Sequence, residues 1–150
     1  MRQVLGGAHY PTRTIRMSPQ RSASPKTILL IDDDAAVMKA LSSGLRRIGY
    51  EVLTAETKEQ AIAAVKGPAE IDLLMIDAVM PEISGPELAE ILLFLRPKMK
   101  VIFITGLDGL AIRLAFDRPC ICVQKPFTLR ALVPKIQELL QGVEEYSGRP

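Results

Sequence analysis

Residues 73–85 read LLMIDAVMPEISG. Leu73 to Ile76 are apolar without interruption, the pattern of a strand covered on both faces, yet the run ends in a carboxylate, Asp77. Met80-Pro81 and then Gly85 are turn signals, so the chain leaves the core just where that carboxylate sits. Such an aspartate is either a solvated strand end or a reactive group whose partners lie elsewhere in the sequence.

Outward from this stretch, apolar runs alternate with helical patterns. The other runs are Thr27–Ile31, Tyr50–Thr54, Val101–Ile104 and Cys120–Val123, and the third run itself extends over Ile71–Ile76. Between them, Val37, Leu41, Leu45 and Ile48 recur at helical spacing, as do Leu88, Ile91, Leu92 and Leu95. Lys58–Lys66 reads as a short Ala-rich helix and Gly109–Phe116 as a brief one before Pro119. The last helix carries Leu129, Leu132, Val133, Ile136, Leu139 and Leu140 on one face. Pro134 falls inside it and predicts a kink, with either a loosened turn over Leu129–Val133 or a regular helix starting near Pro134. Gly49, Gly67 and Pro97 stand where helices should stop.

Five strands alternating with helices predict right-handed βαβ units and an α/β doubly wound parallel sheet with helices on both faces. Five strands suit the flavodoxin-like order 2-1-3-4-5. The Gly-rich dinucleotide fingerprint and the Gly-Lys-Ser/Thr phosphate loop are both missing after the first strand, which removes nucleotide binding.

A chain of 150 residues with 48% hydrophobic and 24% charged side chains is long enough to bury one core without disulfides. Its apolar runs are too short for a membrane span and its start lacks a signal-peptide core, so a cytoplasmic protein with no membrane contact is expected. The net charge of +2 hides a split: residues 1–31 hold five basic side chains and no acidic one, leaving an acidic remainder. The expected organisation is a flexible basic tail over 1–25, a folded domain over 26–142 and a disordered end over 143–150. The tail's charges are diluted by Pro, Ser and Gly, and no nucleic-acid partner is expected. Cys120 and Cys122 are expected as buried free thiols of the fifth strand, and with His9 the single histidine a zinc site is excluded.

Ligands of such a sheet bind outside the carboxyl ends of its strands. Those ends carry Asp32-Asp33-Asp34 after the first strand, Asp77 after the third, Thr105-Gly106 after the fourth and Lys125-Pro126 after the fifth. Crowded carboxylates repel unless a cation joins them, and Mg²⁺ suits two or three carboxylates on an open edge. With Lys125 it makes a site for a phosphoryl group. No Ser, Cys or His nucleophile–base pair shares the rim, which speaks against acyl transfer, whereas a carboxylate can itself accept a phosphoryl group. Asp77, ending the central strand, is the candidate. Asp34 alone reads as a helix N-cap.

These residues resemble the receiver domain of two-component response regulators over about Lys26 to Gln141, through LLIDDD, IDAVMP with its following SG, FITG and QKPF. The run from Val79 to Gly106 is especially similar to receivers attached to hybrid histidine kinases. The resemblance implies that Asp77 accepts a phosphoryl group from a kinase phosphohistidine. It implies Mg²⁺ on Asp33 and Asp77, with Asp32 acting through water and the Val79 carbonyl as a further ligand. Thr105 would hydrogen-bond the phosphoryl group, Lys125 would pair with one of its oxygens, and Lys125-Pro126 would be cis. The protein would be a self-phosphorylating switch rather than a turnover enzyme. Its implied partners are a sensor histidine kinase, and either a histidine phosphotransfer protein or an effector docking on the fourth helix, fifth strand and fifth helix. Cys122 departs from the family, where an aromatic often stands three residues before the lysine. The alternatives are a scaffold of the same fold that ignores phosphorylation, a module excised from a hybrid kinase, or a phosphatase, for which the sequence offers no cap insertion.

Overall fold

The alternation of apolar runs and helical patterns folds as expected in a computed structural model that describes residues 24–106 and 108–141. The strands are β1 (Thr27–Ile31), β2 (Glu51–Ala55), β3 (Leu73–Asp77), β4 (Lys100–Thr105) and β5 (Ile121–Gln124). They alternate with the helices α1 (Ala35–Arg47), α2 (Lys58–Lys66), α3 (Gly85–Leu95), α4 (Gly109–Ala115) and α5 (Leu129–Leu140). All strand pairs are parallel, in the order β2-β1-β3-β4-β5. The basic tail expected over 1–25 and the end expected over 143–150 lie outside the described residues, Ser24 and Pro25 excepted. No helix among the described residues is long and apolar enough to cross a membrane.

Because successive side chains of a strand point to opposite faces, each central strand feeds two cores. Leu29, Ile31, Leu74, Ile76, Val101 and Phe103 face α2, α3 and α4, where Ala61, Val65, Leu88, Leu92 and Ile112 cover them. Ile28, Leu30, Leu73, Met75, Ile102 and Ile104 face α1 and α5, meeting Met38, Leu41, Leu45, Leu132 and Ile136. Every residue of β1 and β3 is buried. β2 and β5 are not buried throughout, contrary to the expectation from their apolar runs: they are the sheet edges, and Glu51, Thr54 and Gln124 are exposed.

Local chemistry sets the helix ends. Asp34 caps α1, accepting from the Ala36 and Val37 N–H groups at 3.0 and 3.2 Å. Gly49 adopts φ +108° just past α1, and Tyr50 and Gly49 donate to the Leu45 and Arg46 carbonyls at 3.1 Å each, a Schellman closure that a side chain at position 49 would strain.

Three sequence expectations shift. α5 is helical from Leu129 through Pro134, with Thr128 as its cap, so the regular helix does not wait for the proline. On α1, Met38 and Ser42 are buried where Ile48 was expected, Ile48 being the half-exposed C-cap. On α3, Ala89 and Leu93 join Leu88 and Leu92 inside, while Ile91 is half-buried and Leu95 exposed. This helix is apolar on more than the face that the sheet can cover.

Candidate functional site

Register alone brings the polar strand ends together. Ile31 pairs with Ile76, so the next residues, Asp32 and Asp77, leave the sheet side by side. Asp77 pairs with Ile104, placing Thr105 one step beyond, and Thr105 pairs with Gln124, placing Lys125 one step beyond that. The Lys125 N–H donates to the Thr105 carbonyl at 2.7 Å and the Ala78 N–H to the Ile104 carbonyl at 2.9 Å, extending the ladder past the formal strand ends.

Carboxylate oxygens of Asp32, Asp33 and Asp77 all lie within 4.8 Å of one another. Asp32 is 1% exposed, Asp77 is buried and Asp33 is exposed, so the cluster opens to solvent on one side only. The Lys125 ammonium donates to Asp77 Oδ2 at 3.1 Å and to Asp32 Oδ2 at 3.4 Å. Backbone donors hold the other oxygens: the Asp34 N–H on Asp32 Oδ1 and the Val79 N–H on Asp77 Oδ1, both at 2.9 Å. Thr105 is 1% exposed at the end of β4.

The charges do not balance: Asp32 and Asp77 share one ammonium, and Asp33 adds a third carboxylate beside them. Burial pushes the Asp32 carboxyl above its ordinary value; the Asp34 N–H pulls it back, and the Asp77 charge adds to the rise. For Lys125 burial disfavours the ammonium. The hydrogen bond to Asp77 and the charges of Asp32 and Asp77 together outweigh that cost and raise its pKa. Three oxygen donors in excess of one local cation fit a hard divalent ion better than any soft metal.

Of the residues expected at the rim, Asp32, Asp33, Asp77 and Lys125 stand together, the Val79 N–H reaches Asp77, and Thr105 ends β4 one residue past the partner of Asp77. The Lys125–Pro126 peptide is cis. Asp34 belongs to the helix cap. The thiols differ from expectation: Cys120 precedes β5, and both cysteines are free but only half-buried. Burial, then the adjoining Cys122, pushes the Cys120 thiol up to about 11. Cys122 Sγ lies 3.9 Å from the Gly109 carbonyl, and a Cβ on Gly109 would stand 3.2 Å from Cys122 Cβ. The opening residue of α4 thus rests directly on the small side chain at position 122.

Gly85 has a larger part than its turn character suggests. Its N–H donates to the Ala78 carbonyl at 2.9 Å, and a Cβ there would collide with the Asp77 carbonyl oxygen and come within 2.7 Å of Ala78 Cα. The loop after β3 folds back onto the backbone of Asp77 itself. The sequence signal was the Ser84-Gly85-Pro86 helix start, with Ser84 as N-cap and proline in the first turn.

Comparison with known proteins places this rim in a family. The profile of the response regulator receiver domain matches residues 28–137. The chain is 35% identical over 117 residues to the response regulator receiver protein CpdR of Brucella abortus (strain 2308), covering 77% of this chain and 97% of that protein. It is 33% identical over 118 residues to the sensor kinase CckA of the same strain, covering 77% of this chain but 12% of the kinase. Among solved structures, the response regulator TrrA of Thermotoga maritima in complex with Mg(2+)-BeF superposes with a TM-score of 0.65 at 32% identity, covering 77% of this chain and 99% of that one. With its fold, its acidic rim and a profile match over the folded region, the chain belongs to the response regulator receiver family, the phosphorylation-controlled signalling domains of two-component systems.

Proposed function

We propose that the domain, spanning 26–142, is switched by transfer of a phosphoryl group to Asp77. The single observation that carries this is the meeting of three carboxylates within 4.8 Å of one another, two of them, Asp32 and Asp77, sharing the Lys125 ammonium. A carboxylate oxygen of Asp77 attacks phosphorus, the P–N bond of a phosphohistidine breaks, the imidazole leaves, and an acyl phosphate remains on Asp77. Lys125, already bonded to Asp77 Oδ2, follows the charge onto a phosphoryl oxygen. The Thr105 hydroxyl, buried one strand away, donates to another. The Val79 N–H holds Asp77 Oδ1 and so orients the nucleophile.

Asp32, Asp33 and Asp77, with the Val79 carbonyl, would hold Mg²⁺, which supplies positive charge to the phosphoryl oxygens when bound. The fit rests on the unbalanced anionic charge. Hydrolysis of the acyl phosphate by water resets the domain, a self-catalysed event without a second substrate. The donor is a sensor histidine kinase, in the cytoplasm. Output passes to a histidine phosphotransfer protein or an effector through α4, β5 and α5, where Leu110 and Leu114 are 61% and 82% exposed.

Incubation with Mg²⁺ and acetyl phosphate, or with a phosphorylated kinase, followed by intact-mass measurement, tests this. One base-labile phosphoryl group per chain is expected, and none in Asp77→Asn. No adduct on the parent protein with either donor would sink the proposal.

A further inference from the structure

The rim does not use the outer face of α3. This helix spends Leu88, Ala89, Leu92 and Leu93 on the sheet and still presents Ile91, Phe94 and Leu95 on its other side. Phe94 is 83% exposed and Leu95 36%. Glu87 and Glu90 are the charged residues of α3, and Phe94 stands exposed on the side of the helix that carries them. Against this stripe lies a groove of about 440 Å³ between α2 and α3, lined by Ile62, Lys66, Glu90, Ile91, Phe94 and Leu95. Arg96, at the end of α3, donates through Nε to the Val65 carbonyl at 2.8 Å and through Nη2 to the Gly67 carbonyl at 2.7 Å, which ties α3 to the end of α2.

We infer that this α2–α3 face binds a second copy of the chain. The reason is that it complements itself. It carries a highly exposed aromatic, Phe94, in the lining of an apolar depression that Ile62 and Ile91 share. It also carries opposite charges on opposite walls, Lys66 on α2 and Glu90 on α3. Among the described residues Lys66 has no ion-pair partner, and Glu90 meets only Arg118, at 3.7 Å with both side chains over 40% exposed. A two-fold axis puts each copy's Phe94 into the other's groove and each Lys66 opposite the other's Glu90, as an isologous contact requires. A hetero-partner would need neither the opposed charges nor knob and hole on one face. One groove and one aromatic per copy fall short of a standard-size interface, so the association is weak and reversible.

Sedimentation velocity on the full 150-residue chain, without phosphoryl donor, over micromolar to high-micromolar concentrations reads this directly. Concentration-dependent dimerisation is expected. Phe94→Ser should weaken it by at least about tenfold, the loss that uncovering a buried aromatic gives. Lys66→Glu and Glu90→Lys should each weaken it, and the double exchange Lys66→Glu/Glu90→Lys should restore it. Phe94 and Lys66 are exposed, so the variants keep the fold, which circular dichroism checks. A monomer at every concentration gives the face to another protein and overturns the proposal. So does a dimer indifferent to Phe94→Ser, or one that the double exchange fails to restore. Phosphoryl transfer to Asp77, measured by mass on the same samples, stands or falls separately.

Discussion

Strand β3 has an aspartate at each end, and the two do different work. Asp72, just before the strand, accepts the Thr27 N–H at 2.8 Å and faces one cation, Lys26, at 3.7 Å. It is half-buried, its oxygens are occupied, and charge is matched one to one. Asp77, five residues on, is buried beside the buried Asp32 and the exposed Asp33, and shares one lysine with Asp32. The same side chain is a structural acceptor at one end of the sheet and part of a cluster with excess negative charge at the other. Three neighbouring carboxylates beside one ammonium leave a net negative charge that a further cation can neutralise.

The sharpest contrast comes from changing each aspartate alone. Asp77→Asn should abolish phosphoryl uptake from acetyl phosphate, read by intact mass. Asp72→Asn should leave uptake intact and cost on the order of 1 kcal/mol in urea unfolding, for one weakened backbone acceptor and one exposed ion pair. Loss of uptake in Asp72→Asn would erase the distinction.

Next in size is the response to Mg²⁺. If the rim holds the ion, saturation at a hundred times Kd should add about 2.7 kcal/mol of stability. Asp33→Ala, at an exposed position, should remove that increment and leave the metal-free stability nearly unchanged. An equal Mg²⁺ effect in Asp33→Ala would refute the assignment of this ligand.

Gly85→Ala should cost about 1–3 kcal/mol, because the new methyl meets backbone rather than a yielding side chain. It should also slow phosphoryl uptake, since what must move is the Asp77 carbonyl. An alanine variant as stable as the parent would mean that the loop retreats freely.

The smallest effect is a pH dependence. Burial first, and the Asp77 charge after it, raise the Asp32 pKa above the ordinary 3.8, so the folded state holds that proton more tightly than the unfolded chain. Its stabilising contribution is full below 3.8 and is lost as pH rises through the folded value. Without metal, Asp32→Asn should therefore gain on the order of 1 kcal/mol over the parent at neutral pH, and the gain should vanish in acid. Lys125, raised above 10.5, contributes on the other side: its share persists below that pH and is lost above it. A neutral-pH gain absent in Asp32→Asn would mean that Lys125 already balances Asp32.

Much of this was legible in the sequence because strands and reactive ends follow short-range rules. β1 and β3 announce themselves as unbroken apolar runs, and each then stops at an aspartate. Misreadings arose where burial depends on neighbours. The apolar run of β5 says nothing about its place at the sheet edge, and the periodicity of α3 does not tell which of its two apolar faces meets the sheet. Pro134 left open a loosened turn over Leu129–Val133 or a helix starting near the proline; α5 starts at Leu129 under its Thr128 cap.

What the sequence determined by itself was the inventory: five strands, the carboxylates, hydroxyl and lysine at their ends, and the family that these motifs mark. Tertiary structure alone decided the distances. Only the parallel register sets Asp32 beside Asp77 and carries Lys125 across two strands to bridge them. Only packing shows Gly85 pressed on the Asp77 carbonyl, Gly109 on Cys122, and Phe94 left outside. The reason is physical: local patterns follow from backbone geometry a few residues long, whereas which groups share a low-dielectric pocket depends on contacts between residues far apart in the chain.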